Sequence, residues 1–274
     1  MKLSIIIVNY NTGPLTAACI TSILQQELPF GFEIIVVDNA SRDESVSHLQ
    51  SDFPEINVLA NDQNAGLAAG VNKGLSIASG TYFLILNPDI IVLPGALEKL
   101  IEYLATEKEV GMVGGQLISP NGEIQDSCYR FYAPLTVIYR RTWLGKTRRG
   151  NKDVARLLMK DFDHRSTRDV DWLMGACLLV RAKAVREVGG MDERFFLYFE
   201  DVDWCRRFWE AGWRITYVPA AQFSHYHQRS SEQRGVWRLF TNWILREHIK
   251  SAFKYFWKHR GKPLPRQEAP AGEI

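Results

Sequence analysis

The apolar run YFLIL (82–86) ends in Asn87-Pro88-Asp89, so a stretch that otherwise reads as a buried strand stops to present one carboxylate. Such an aspartate suits a hard divalent cation, because magnesium and manganese prefer oxygen ligands and are often held by one or two carboxylates plus substrate phosphates. Further on, FEDVDW puts Glu200, Asp201 and Asp203 at the start of a predicted helix, where backbone N–H groups and the helix dipole favour ionised carboxylates. The cluster either caps the helix or supplies a general base that must stay ionised to take a proton from a hydroxyl. Asp201 is the better base, sitting between a presumed cap and the helix body; spacing alone leaves Glu200 open. His225 and His227 follow the last predicted strand in AQFSHYHQ. Imidazole ligates magnesium or manganese less readily than oxygen does, so a metal role for either needs support from elsewhere.

These groups need a scaffold, and the first ninety residues predict one. Apolar runs at 3–9, 33–38, 56–60 and 82–86 alternate with helical patterns near 14–27, 43–51 and 66–78, with another helix near 94–105. Alternation of that kind predicts right-handed strand–helix–strand units and a mainly parallel sheet covered on both faces. Ligands of such open sheets bind beyond the carboxyl ends of the strands. Those ends carry Asn9-Tyr10-Asn11, Asp38-Asn39, Asn61 to Gly66 and Asn87-Pro88-Asp89, so four strands deliver polar residues to one rim, although Asn, Asp and Gly also simply make turns. The first turn reads NYNTGPL and lacks the Gly-x-Gly-x-x-Gly of a dehydrogenase; no P-loop follows any strand.

Beyond residue 110 the pattern changes. Strands are predicted at 110–119 and 122–128, then a long aromatic and basic stretch (129–168), two short strands or one bent at Gly175, a short helix at 182–188, a helix over 201–211 and a closing strand at 213–219. The aromatic segment 129–143 and Trp172 suit either an acceptor cleft, since aromatic faces and Arg accommodate sugars and phosphates, or ordinary core packing.

Composition is that of a globular protein: 274 residues, 46% hydrophobic and 23% charged, enough for one large or two small domains. Four scattered cysteines with no CxxC pair suggest neither a structural zinc nor a disulfide framework. No uncharged run approaches the roughly 18 residues that a membrane crossing needs. The net charge of +2 hides a basic end, because residues 229–266 hold ten Lys/Arg against two Glu.

Taken together in order, IIVNYN, VVDNASRDES, NAGLAAGVNKG, LNPD, GACLLVR, FFLYFEDVDWCRR and YVPAAQFSH resemble the family 2 glycosyltransferases, inverting enzymes of the GT-A fold, and within them the bacterial rhamnosyltransferase-like branch that builds cell-surface polysaccharide. The match runs from about residue 3 to 231. It implies a GT-A catalytic domain over 1–228, with a Rossmann-like donor-binding half (1–118) fused to an acceptor half (119–228), and a basic amphipathic helical tail at 229–274. By resemblance, Asn9, Tyr10 and Asp38 line the base and ribose pocket of a nucleotide diphosphate sugar, dTDP- or UDP-linked, and Asn64, Gly66 and Asn72 complete the donor pocket. Asp89 matches the last carboxylate of the family's Asp-x-Asp motif and would bind Mg²⁺ or Mn²⁺ at the diphosphate. Asn87 stands where the first aspartate is expected, which removes one carboxylate and predicts weaker metal affinity or a further ligand. Asp201, next to Glu200, matches the catalytic base; His225 matches a histidine that joins the metal shell; His227 does not align.

The implied reaction is sugar transfer to a hydroxyl of a glycan or lipid-linked glycan, with rhamnose the first candidate, by a cytoplasmic protein. In the tail, Arg246, Lys250, Lys254 and Lys258 recur at spacing four beside Leu245, Ile249, Ala252, Phe253 and Phe256, giving a helix that either packs on the core or docks on the inner face of an anionic membrane, with Trp243 and Trp257 at the interface. No recognised module supports nucleic-acid binding. A catalytically silent nucleotide-sugar-binding protein is the rival reading, favoured by Asn87. A processive synthase would be expected to carry membrane spans and a Gln-x-x-Arg-Trp-type motif.

Overall fold

The computed structural model describes residues 3–226 and 243–265. Strand and helix alternate at first: β1 (Leu3–Asn9), α1 (Gly13–Leu24), β2 (Phe32–Asp38), α2 (Ser45–Asp52), β3 (Asn57–Ala60), α3 (Leu67–Ile77) and β4 (Tyr82–Leu86). β1 pairs in parallel with β2 and β4, and β2 with β3. Leu3, Ile5, Ile6 and Ile7 are fully buried, which explains why β1 reads as an unbroken apolar run: both faces of a parallel sheet are covered by helices. The cover on one side is very close. A Cβ on Gly74 of α3 would come within 2.5 Å of Ile6 Cγ2, so only glycine lets this helix lie on the sheet as it does.

The second half runs β5 (Ile90–Val92), α4 (Ala96–Thr106), β6 (Val110–Ile118), β7 (Cys128–Tyr129), α5 (Thr136–Arg141), α6 (Arg148–Leu157), β8 (Arg168–Asp169), β9 (Trp172–Leu173), β10 (Cys177–Arg181), α7 (Ala182–Val188), α8 (Glu200–Glu210), β11 (Arg214–His225) and α9 (Trp243–Lys258). The large sheet has the order β3-β2-β1-β4-β10-β6-β11-β5, with β8 added on β11, while β7 and β9 form a separate ribbon. β10 is antiparallel to both β4 and β6 and so joins the two halves through one sheet.

Several sequence expectations change here. The strand expected at 122–128 does not form: residues 122–127 make a turn and an irregular stretch closed by a lone bridge between Ile118 and Ile124, and only Cys128 enters a strand, β7. The segment around Gly175 is two strands in two different sheets. The closing strand does not end at Pro219; it runs to His225, because an irregularity between Val218 and Gln222 absorbs the proline while pairing with β6 resumes beyond it. All four cysteines are free and buried.

α9 packs on α8 and the segment before it through a seam different from the one its hydrophobic spacing suggested. Leu245, His248, Ser251, Ala252 and Tyr255 are buried, whereas Ile249, Phe253 and Trp257 are exposed. Lys258 Nζ donates to Asp192 Oδ2 at 2.6 Å and to Asp203 Oδ2 at 2.8 Å, and His259 Nε2 lies 2.8 Å from Asp203 Oδ1. Burial alone would raise the Asp203 carboxyl, but the hydrogen bonds from His259 and Lys258 and the nearby Lys258 and Arg207 charges outweigh it and hold the group below the usual carboxylate range. A depressed carboxylate pKa stabilises the fold above the unfolded value, near 3.9, and that contribution is lost as pH falls through the folded value. Lys258→Met is therefore expected to cost about 2 kcal/mol in urea unfolding at pH 7. The deficit should shrink on acidification towards pH 3; a pH-independent deficit would mean lost packing rather than a lost charge pair. Among the described residues no helix is long and apolar enough to cross a membrane.

Candidate active site

The rim residues come together, but several of them face inward. Asn9, fully buried at the end of β1, donates through Nδ2 to Asp38 Oδ1 at 2.7 Å and accepts on Oδ1 from the hydroxyls of Thr12 (2.7 Å) and Thr16 (2.8 Å). Its amide is thus spent within the protein. Asp38 also accepts from the Ser41 backbone N–H at 2.9 Å and the Ser41 hydroxyl at 2.5 Å, which pins the loop after β2 against β1. Asn72 of α3 reads the backbone of Met191 on both sides, donating to its carbonyl and accepting from its N–H at 2.8 Å each. Asn64 accepts from the Gly66 N–H, and Gly66 (φ 90°) has Phe196 O where a Cβ would come within 2.6 Å. Tyr10 differs from these, with its side chain 44% exposed at the mouth. Asn9, Asn64 and Asn72 therefore build the rim, and Tyr10 is left open to a ligand.

The segment between α7 and α8 is held from two sides: Leu67 N–H donates to Phe196 O, and Ser251 of α9 donates to Leu197 O. It ends in Tyr198 and Phe199, both left-handed (φ 67° and 70°), a conformation costing of order 1–3 kcal/mol per non-glycine residue unless the surroundings enforce it. Here aromatic packing enforces it: Phe199 lies 4.9 Å from the Tyr132 ring and 5.4 Å from both His248 and Tyr255 of α9. The outcome is that α8 starts abruptly, with Glu200 and Asp201 at its first turn.

Asp201 accepts from the Gly175 N–H at 3.0 Å (Oδ2) and the Val202 N–H at 2.8 Å (Oδ1). Burial pushes its carboxyl up to about 6, the two backbone donors working against the rise. Glu200 is only 4% exposed and its Oε2 has no hydrogen-bond partner; burial and the adjacent Asp201 charge raise it well above the ordinary value. The two adjacent carboxyls are thus set apart, Glu200 pushed towards its protonated form more strongly than Asp201, the division of labour that acid–base sites exploit.

Asp89 and His225 meet because β11 pairs antiparallel with β5, His225 lying opposite Ile90, and because Tyr226 N–H donates to Asp89 O at 2.9 Å. His225 Nε2 is 3.5 Å from Asp89 Oδ2, while Asp89 Oδ1 is buried without a hydrogen-bond partner. Gln125 decides the tautomer. Its Nε2 donates to the His225 carbonyl at 3.0 Å, which turns its Oε1 to His225 Nδ1 at 2.8 Å, so Nδ1 carries a hydrogen and Nε2 is the nitrogen turned towards Asp89. An imidazole nitrogen facing a carboxylate oxygen suits a proton or a cation shared between them. Among the described residues no three His, Cys, Asp or Glu form a metal cluster, so a cation here would need further ligands from a bound molecule. Asn87 uses its backbone N–H on Ala176 O at 2.9 Å. His227 lies outside the described residues.

Gln125 carried no motif in the sequence, and Gly175, although it opens the GACLLVR motif, carried no signal that its N–H would hold Asp201. Trp172 is a core residue: it is 5% exposed, stacks on Tyr129 at 4.2 Å and Tyr132 at 5.8 Å, and donates its indole N–H to Arg130 O.

The family profile described as Glycosyl transferase family 2 matches residues 4–189. The chain is 28% identical to N-acetylglucosaminyl-diphospho-decaprenol L-rhamnosyltransferase of Mycobacterium tuberculosis over 286 residues, covering 89% of each. It is 30% identical to rhamnosyltransferase WbbL of Escherichia coli K12 over 185 residues, 67% of this chain and 64% of that one. Among solved structures it resembles the mannosyltransferase PcManGT from Pyrobaculum calidifontis in complex with GDP-Man and Mn²⁺, with a TM-score of 0.61 and 18% identity over 98% of this chain and 65% of that one, a likeness of fold.

Proposed function

Because this chain belongs to glycosyl transferase family 2, we propose that it moves a sugar, rhamnose first among the candidates, from a dTDP- or UDP-linked donor to a hydroxyl of a lipid-linked glycan, inverting the anomeric carbon. The observation that carries the mechanism is the Asp201 carboxylate held by two backbone N–H groups at the first turn of α8, beside a buried Glu200 whose burial favours the protonated form. Asp201 accepts the proton of the acceptor hydroxyl as that oxygen attacks the anomeric carbon. Glu200 is buried, and its shift towards the protonated form reduces the negative charge beside Asp201 at the first turn of α8. Tyr10 offers an open ring to the base, and the Asn9–Asp38–Ser41 network fixes the loop beneath it.

Asp89 and His225 fit a divalent cation, Mg²⁺ or Mn²⁺, on the evidence of the partnerless Asp89 oxygen and the tautomer set by Gln125. Such an ion neutralises charge on a departing diphosphate. With Asn87 in place of a second carboxylate, Asp89 and His225 would hold the ion together with the donor's phosphates. The catalytic unit includes α9, whose His248 and Tyr255 hold Phe199. The face of α9 left outside, with Ile249, Phe253 and Trp257 next to Arg246, Lys250 and Lys254, suits peripheral contact with an anionic membrane.

The reading is tested by donor hydrolysis and thermal shift across a panel of nucleotide sugars with Mn²⁺, Mg²⁺ or EDTA. Metal-dependent stabilisation and hydrolysis of one donor is expected; silence towards all donors would favour a binding protein without turnover. Since the base must be ionised, kcat/KM is expected to rise about tenfold per unit as pH increases towards 6 and to level off above it. A profile flat from pH 5 to 7 would remove Asp201 from that role.

A further inference from the structure

A second basic surface lies away from the tail. Residues 139–160 contain eight Lys/Arg and one acid, Asp153. α5 and α6 enclose a groove of about 610 Å³, walled on one side by Pro134, Leu135 and Tyr139 and on the other by Arg149, Lys152 and Arg156. Asp153 also lines it, but its carboxylate is 3.6 Å from Arg156 Nε, and Arg156 Nη2 is spent on Phe131 O, so the positive charge aimed into the groove comes from exposed Arg149 and Lys152. Leu135, Ile138 and Trp143 continue the apolar wall outward, exposed by 46%, 45% and 71%. The inner end is tied to the candidate active site: Ala133 follows Tyr132, whose ring packs on Phe199, the residue before Glu200.

Two cations opposite an apolar wall match a ligand that is anionic at one point and greasy beyond it. We propose that this groove binds the diphosphate of a prenyl-diphosphate-linked acceptor, Arg149 and Lys152 pairing with the phosphates and Pro134, Leu135 and Tyr139 covering the first prenyl units, so that the attached sugar reaches towards Asp201. The assignment rests on the transferase reading and narrows its acceptor to diphosphate lipids. Its concave shape favours a single acceptor molecule over the plane of a bilayer.

The test is equilibrium binding of farnesyl diphosphate to the full chain in EDTA, which keeps the probe's phosphates from being held through a metal at Asp89 and His225. Wild-type protein is expected to bind the probe, and Arg149→Gln/Lys152→Gln at least tenfold more weakly; both side chains are exposed, so folding is not at stake. Equal binding by the two proteins overturns the proposal. So does a double variant that keeps the probe but loses affinity for phosphatidylglycerol vesicles, since the groove would then serve a bilayer. Donor hydrolysis by the wild-type protein is read separately, so a failed transferase reading is not confused with a failed groove.

Discussion

Asp201→Asn is expected to lower sugar transfer by at least about 10³-fold while donor binding and thermal stability stay close to wild type. General-base catalysis supplies roughly 10²–10⁴, and an amide cannot accept the proton at all. The stability expectation follows from opposing changes at one position. A carboxyl raised above its unfolded value destabilises the fold once it is ionised, and asparagine removes that burden. Against this, Gly175 and Val202 each donate an N–H to a separate carboxylate oxygen, and asparagine offers one acceptor oxygen, leaving one donor opposed by its NH₂. The two effects largely cancel.

Glu200→Gln supplies the comparison. Because burial and the adjacent Asp201 charge favour the protonated form of Glu200, glutamine imitates that form, and turnover is expected to change by no more than a few-fold. If Glu200→Gln were the silent variant and Asp201→Asn the active one, the base would be Glu200. Steady-state kcat for both variants, with calorimetric donor affinity beside it, settles the order that spacing in the sequence left open.

That ambiguity shows what kind of information the sequence holds. Three of the four parallel strands, β1, β2 and β4, are legible because their cores are buried on both faces and read as apolar runs, as in Ile5–Ile7 and Val36–Val37, and edge strand β3, though half-exposed, is legible because α1 to α3 alternate with the strands. Their polar carboxyl ends are equally legible as a rim. What residue type does not reveal is direction. Asn9 and Asn72 have the chemistry of donor ligands and the right positions, yet both amides are turned to Asp38 and Met191. Pairings across long separations are hidden for the same reason. Nothing near Cys177–Arg181 announces that it will lie antiparallel between β4 and β6, and three-residue β5 is too short to show a period. Yet these two strands bring Gly175 to Asp201 and Asp89 to His225. In the tail, spacing distinguishes an amphipathic helix well enough, but the buried seam includes His248, Ser251 and Tyr255, polar-tipped residues that only a partner such as Leu197 O or Phe199 makes suitable for burial.

Asp89→Asn has the other large expected effect, and it should appear in binding before it appears in rate. In the ion-free protein Asp89 Oδ2 faces His225 Nε2 at 3.5 Å. Asparagine keeps the shape of the side chain and can still face that nitrogen, so the variant is expected to melt close to the wild-type temperature in EDTA. In Mn²⁺ plus dTDP or UDP the two should separate. Wild type gains stability as ligand binds the native state, by RT ln(1 + [L]/Kd), whereas the variant, left with neutral donors and one imidazole, should gain little. Transfer is then expected to fall on the order of 10²–10³-fold, the scale set by losing several kcal/mol of charge stabilisation at the diphosphate. Gln125→Leu should move in the same direction less severely, since it frees the His225 ring without removing a ligand; a loss on the order of 10-fold in metal affinity is the usual effect of deleting such a supporting hydrogen bond. An Asp89→Asn protein that keeps its full Mn²⁺-dependent thermal shift would place the cation on other residues, and the facing Asp89–His225 pair would then be a proton-sharing contact that closes β5 onto β11.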